Sequence, residues 1–354
     1  MIKINFMRIF FYFFLLSLLS CTSSSSFHIQ SADWQEQQSG IDASIRGICA
    51  VDNQVAWISG SGGQYSITTD GGDNWIPGKV PGADSLDFRD VEAFSADLAY
   101  LMSIGPGQSS RIYKTTDGGQ NWTLQHQNEL EAGFFDGFAF WDDQNAILIG
   151  DPIDGKLYLM KTTDGGQNWL RIPPEKLPPL KEGEYGFAAS GTGITVFEDN
   201  VWICTGGQSA RVFHSPDRGE SWNVYDTPVI SGKASAGTFS VDFRDAQHGV
   251  VVGGDYNKSD QKGNTFATTD DGGKTWLAPA DTTLISFRSC VQYLPNSSSL
   301  ISVGRGGVSA FSNDDGKSWT TFGALGLYTL SISNDGQSTW AAGPEGRVAK
   351  LVFQ

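Results

Sequence analysis

A short polar pattern recurs six times along the chain, and a repeat of fixed length restricts the possible folds more than composition can. The copies run from Thr68 to Trp75, Thr115 to Trp122, Thr162 to Trp169, Ser215 to Trp222, Thr269 to Trp276 and Ser312 to Trp319. Each places an Asp two residues after the opening Ser or Thr, a Gly two residues after the Asp, and a Trp at the end, as in Asp70, Gly72 and Trp75. Successive Asp positions differ by 47, 47, 53, 54 and 43 residues. A period of roughly 40 to 50 residues in a strand-rich chain is that of propeller blades.

The pattern has a mechanical meaning. Asp followed by Gly between two alternately apolar runs marks a hairpin: the carboxylate accepts turn N–H groups, and Gly supplies the positive φ that L-residues avoid. The opening hydroxyl adds a local bond, and the Trp lays an apolar face over the hairpin while its N–H seeks an acceptor. Each copy is therefore expected to staple its own blade. Metal ligation is the alternative use of six carboxylates. Each, however, stands in a separate blade, and no copy has the alternating carboxylates of a calcium loop, so neither metal nor cofactor is expected.

The pattern S/T-x-D-x-G-x-S/T/N-W resembles the Asp-box, or BNR repeat, of sialidases, sortilin-type receptors and the photosystem II assembly factor family. Lys114 to Trp122, with a short apolar strand before it, is most similar to the assembly-factor group. The resemblance covers nearly the whole mature chain and implies a β-propeller, while saying little about function, because one fold hosts many activities.

The blades are legible strand by strand. Innermost strands are expected at Ile45 to Val51 and Phe88 to Phe94, a second strand at Val55 to Gly60, and a third at Gln64 to Thr68. After Trp319 come three more apolar runs, 328–332, 339–343 and 347–353, with no repeat and no fourth strand. The missing strand lies at the other terminus: Trp34 precedes Ile45 by 11 residues, as Trp276 precedes Phe287. The expected fold is all-β, a seven-bladed propeller over 34–354 closed by pairing of N- and C-terminal strands, which removes exposed sheet edges.

The N-terminus reads as a targeting segment. Lys3 and Arg8 precede an apolar stretch, Ile9 to Leu19, too short to span a bilayer, and Leu18-Leu19-Ser20-Cys21 resembles a bacterial lipobox. Residues 1–20 are thus expected to be a lipoprotein signal peptide, Cys21 the lipidated residue and 21–33 a flexible tether. This implies a cell-envelope protein facing the periplasm and touching the membrane only through its anchor. Ordinary signal cleavage is the alternative. The other cysteines, Cys49, Cys204 and Cys290, are odd in number and sit in β-runs, as small core residues do. A formal net charge of −15 argues against nucleic acid as a partner. A monomer is expected.

Function should sit on the face opposite the repeats, where innermost strands begin and second-to-third connections turn. Arg46, Arg89 and Arg288 occupy one slot of an apolar-Arg-x-apolar pattern, with Asp136 in the same slot; the connections add Asp151, Asp255, Tyr256, Arg305 and Glu345. The longest inter-blade loop, 173–189, carries Glu184, Tyr185 and Phe187 to the same mouth. These Arg and Asp residues could simply pair into a solvated rim. Two functional classes compete beyond that. One is a non-catalytic scaffold that binds a protein or glycan, since the assembly-factor resemblance implies an arginine cluster engaging a partner polypeptide. The other is a sialidase-like glycosidase, which needs three arginines on a substrate carboxylate, a Glu-activated Tyr and an Asp acid/base. Leu170-Arg171-Ile172-Pro173 imitates a sialidase motif, but it follows a repeat Trp instead of opening an innermost strand, and sialidases have six blades. No catalytic residue is therefore assigned. The four His residues lack metal-ligand spacing.

Overall fold

Seven antiparallel sheets stand around a central axis in a computed structural model that describes residues 28–281 and 284–353. The leader, Cys21 and the tether up to residue 27 lie outside the described residues. In the first blade the strands Ile45–Ala50, Ala56–Gly60, Gln64–Thr68 and Ile76–Lys79 pair in sequence order from axis to rim. Blades 2, 3, 4 and 6 repeat this meander. Blade 7 is closed as the sequence implies, by the terminal strands Ala32–Gln38 and Arg347–Phe353, with Trp34 opposite Leu351. Packing reaches back to Ile29, which is buried and exchanges two bonds with the Asn313 side chain.

Second strands are buried at successive positions, as in Ala56–Gly60 and Leu300–Val303, so both faces of the sheets pack against neighbouring blades and the core becomes a ring of wedges. The second strands supply the largest wedges: Trp57, Trp202 and Trp340 are fully buried. Innermost strands of adjacent blades share no backbone ladder and are stitched by side chains. Asp90 accepts Phe138 N at 2.9 Å, Asp242 accepts Tyr293 N at 2.7 Å and Ser331 accepts Ala50 N at 2.9 Å.

The six repeat turns share one bond set. Asp70 accepts Asn74 N at 2.9 Å and Asn74 Nδ2 at 2.7 Å, while Thr68 Oγ1 accepts Gly72 N at 2.9 Å. The last copy does the same through Ser318 N, Ser318 Oγ and Gly316 N. The turns are also gripped from the preceding blade. Tyr65 donates to Gly119 O, Tyr100 and Lys114 to Gly165 O, Trp202 to Gly272 O, and Lys350 to Gly71 O. Lys161 pairs with Glu220, and Arg244 with Asp315. Each repeat therefore fastens two blades, where the sequence implied one. Five of the repeat Trp rings are buried and Trp122 is partly buried, but the indole N–H groups of Trp122, Trp169, Trp276 and Trp319 have no acceptor among the described residues, contrary to expectation.

Blade 5 departs from the pattern. Its outer strand shrinks to a single bridge, Thr268 to Leu277, and its inner edge gains Gly206–Gly207 and Glu184–Tyr185. The added strands belong to the long 173–189 loop and the connection it lies on, and they bring that loop over the mouth.

Candidate functional site

Innermost strands of blades 1, 2, 3 and 5 each contain a register shift, at Arg46, Arg89, Asp136 and Phe239. A bulge re-aims the extra residue out of the ladder. One slot thus carries three different chemistries around the mouth, and Tyr328 precedes the inner strand of blade 7 in the corresponding place.

The axis beneath is plugged by residues 186–193, the end of the long loop and the stretch that leads from it into the next strand. Arg46 Nη1 donates to Ala189 O at 3.0 Å and Arg89 Nη1 to Ala188 O at 2.9 Å. Ser190 Oγ donates to Ser289 O at 2.7 Å, and Val241 N to Thr192 O at 3.0 Å. Gly191 has φ +76° and packs on the Asp90 carboxylate, so a Cβ there would collide with it. The loop is bolted at its base by a buried ion pair. Glu184 takes Arg211 Nε at 2.9 Å, and also accepts Thr205 Oγ1 at 2.6 Å and Lys181 N at 2.9 Å.

The plug divides the channel. On the mouth side lies a cavity of about 320 Å³ whose wall includes Arg46, Arg89 and Arg305 together with the rings of Tyr185, Phe187, Phe239, Tyr256, Phe287 and Tyr328. Among the described residues no carboxylate lines it. On the other side a larger cavity of about 660 Å³ is walled by the plug residues Ser190 to Thr192 and by Asp90, Glu92 and Glu198.

Charge at the mouth is poorly compensated. Burial, then the nearby Arg89, lowers Arg46 to about 10, so it stays charged at neutral pH while favouring an anion. Its guanidinium lies 4.4 Å from the Tyr328 ring centroid. Arg89 has one carboxylate partner, Asp87 at 2.8 Å. Arg305 is exposed and no ion pair engages it among the described residues. An aromatic cage alone would suit a cationic ligand, worth about 0.5 to 2 kcal/mol per cation–π contact. A like charge 4 to 6 Å away opposes this by roughly 3 to 4 kcal/mol at an effective dielectric of about 20. With three guanidiniums in the wall, repulsion wins and the cavity suits anions.

The cavity brings together Arg46, Arg89, Tyr185, Phe187, Tyr256 and Arg305 of the residues named from sequence. The others lie elsewhere. Arg288 is almost fully buried, its Nη1 donating to Phe287 O at 2.9 Å and its Nε unpartnered; burial lowers it to about 10. Glu184 is consumed by Arg211 and is not at the mouth. Asp255 caps the turn at Asn257 N and pairs with Lys233. Asp136 is buried beside Asp151: burial first, then the Asp151 charge, raises Asp136 well above the carboxylate range, and burial raises Asp151 to about 6. Glu345 borders a separate hollow with Gln38 and Asp42 at the terminal seam. Arg171 lies on an outermost strand, Leu170–Arg171, stacked on Tyr158. Phe239 escaped sequence reasoning because its slot carries Arg or Asp in blades 1 to 3. The run of small residues from Ala188 to Gly193 was the readable sign of a segment threading a tight space.

No protein-family model matches the chain, and the search of curated proteins finds no match. Solved structures do resemble it. A structure described as YCF48 bound to D1 peptide aligns with 17% identity and TM-score 0.64, covering 91% of this chain and 96% of that one. YCF48 from Cyanidioschyzon merolae aligns with 18% identity and TM-score 0.64 over 91% of this chain and 98% of that one. The GH74 xyloglucanase from Xanthomonas campestris reaches TM-score 0.61 at 15% identity, covering 89% of this chain and 53% of that one. At these identities the likeness establishes the propeller fold alone.

Proposed function

We propose that the chain is a non-catalytic propeller scaffold that captures a segment of a partner protein at the mouth. The observation that carries this reading is a cavity with three guanidiniums and six aromatic rings but, among the described residues, no lining carboxylate, on a protein of formal net charge −15. Arg and aromatic residues are the side chains that dominate protein-partner hot spots. The neighbour YCF48, whose structure is described as bound to D1 peptide, supports a peptide ligand for this kind of ring. The lipobox-like Leu18 to Cys21 supports an envelope location with Cys21 as lipid anchor and the ring facing the periplasm.

A glycosidase reading is weaker on the residues present. Three Tyr and three Arg share the cavity, but the Tyr185 hydroxyl donates to Ala234 O and its acidity is lowered by burial. Glu184, next in sequence, is locked to Arg211 and cannot activate it. The decisive experiment compares envelope proteins retained by the wild-type ring and by Arg305→Glu, which breaks no ion pair among the described residues. Loss of the retained partner, with weakening in salt, is expected. Equal retention by both would sink the reading, as would hydrolysis of an aryl sialoside by the purified protein.

A further inference from the structure

The Phe187 and Phe239 rings stack with centroids 3.9 Å apart at 11°, Phe287 meets Phe239 at 5.0 Å and 81°, and Tyr256 stands edge-on to both Phe187 and Phe239. Such geometry is favourable for ring contacts, and it leaves surface unfilled. Phe187 is half-buried, while Tyr256 is 37% exposed. The loop presenting Phe187 is held by the Glu184–Arg211 pair at its base and by Arg46 and Arg89 at its tip. An open aromatic cluster on a loop fixed this firmly is a preorganised pocket, whose ordering cost has been met before any ligand arrives. At about 320 Å³ it sits at the lower end of ligand-pocket sizes, enough for one large side chain and its adjoining backbone.

We infer that the mouth cavity selects a peptide segment in which one aromatic side chain is flanked by carboxylates, the ring entering the Phe187, Phe239 and Tyr256 cluster and the carboxylates meeting Arg46, Arg89 and Arg305. This rests on the scaffold reading and adds the sequence preference that arginines alone would not impose. Charge complementarity sets the flanks: the three guanidiniums around the rings reject a lysine-flanked aromatic that the cage by itself would accept. The guanidiniums come from three different blades, which favours a segment offering several carboxylates over a free aromatic acid offering one.

The test uses acetylated, amidated heptapeptides of six Asp around a central Trp, Leu or Ala, a six-Lys peptide around Trp, and N-acetyl-tryptophan, each titrated calorimetrically into the mature protein. The Asp-flanked Trp peptide is expected to bind at least ten-fold tighter than its Ala counterpart, with Leu between. The Lys-flanked peptide and N-acetyl-tryptophan should be weaker than the Ala peptide. Tyr256→Ala should remove most of the Trp advantage, lowering the Trp-peptide affinity by a larger factor than the Ala-peptide affinity. Equal affinity for the Trp and Ala peptides, both lost in Arg305→Glu, would overturn the aromatic preference and leave the scaffold reading standing. Tighter binding of the Lys-flanked peptide, or of N-acetyl-tryptophan, would overturn the inference in favour of a cation cage or a small-molecule pocket. Failure of every Asp-flanked peptide to bind would remove both.

Discussion

On the face that carries the repeats, every copy places the same acceptors on the same donors; on the mouth face the bulged slot holds Arg46, Arg89, Asp136 and Phe239 in successive bulged blades. The carboxylates of the first face are answered. They are met within four residues, and the preceding blade holds a glycine carbonyl in four copies and a side-chain carboxylate in the other two. The second leaves charge and ring surface unanswered. A fold made of copies needs identical joints, whereas recognition needs blades to differ, and this ring assigns the two demands to opposite faces.

The two regions also titrate in opposite senses. Bonds from the Asn74, Asn121 and Asn168 side chains hold Asp70, Asp117 and Asp164 below the usual carboxylate range. Along the channel and mouth, burial raises Asp90 to about 7, Glu92 to about 8, and Asp242 and Asp151 to about 6.

The largest effect is expected where the mouth is bolted. Glu184→Ala leaves Arg211 buried and uncompensated and should cost about 3 to 5 kcal/mol in urea unfolding. A loss under about 1 kcal/mol would mean that the loop is not held by this pair. Next, Asp314→Ala removes acceptors from Ser318 N and two hydroxyls. It should cost about 1 to 3 kcal/mol while leaving peptide affinity unchanged, and a change in affinity at unchanged stability would erase the division between the faces.

A pH series sharpens the comparison further. A carboxyl with a raised folded pKa stabilises fully below its unfolded value, near 4, and loses that contribution as pH climbs through the folded value; a depressed one behaves in reverse. Melting temperature should therefore rise from pH 8 to about 5 as the channel acids protonate, then fall below about 4 as the repeat aspartates do. Asp90→Asn should flatten the upper limb, and an unchanged slope in calorimetry would show that Asp90 is not among its causes. The smallest stability change belongs to Arg305→Ala, within about 0.5 kcal/mol, because the side chain is exposed. Any larger loss by thermal melting would place it in the structure of the rim and not in recognition.

The ring itself was written in the chain. Six turns at near-constant spacing, three unmatched C-terminal strands and the stranded Trp34 together require seven blades and terminal closure, because hairpin chemistry and strand pairing are local rules that side-chain spacing expresses directly. What the sequence could not decide was the fate of residues that share one pattern. Arg46, Arg89 and Arg288 look equivalent in sequence, yet two line the cavity and the third is buried, its place at the mouth taken by Arg305 from a connection. Glu184 looked like a mouth residue and is the anchor of the loop, because its partner Arg211 lies 27 residues away and meets it only when Gly206–Gly207 docks on blade 5. Phe239 and Phe187 become one surface for the same reason: the bulge and the plug that bring them together arise from packing between blades, which no single blade's residues specify.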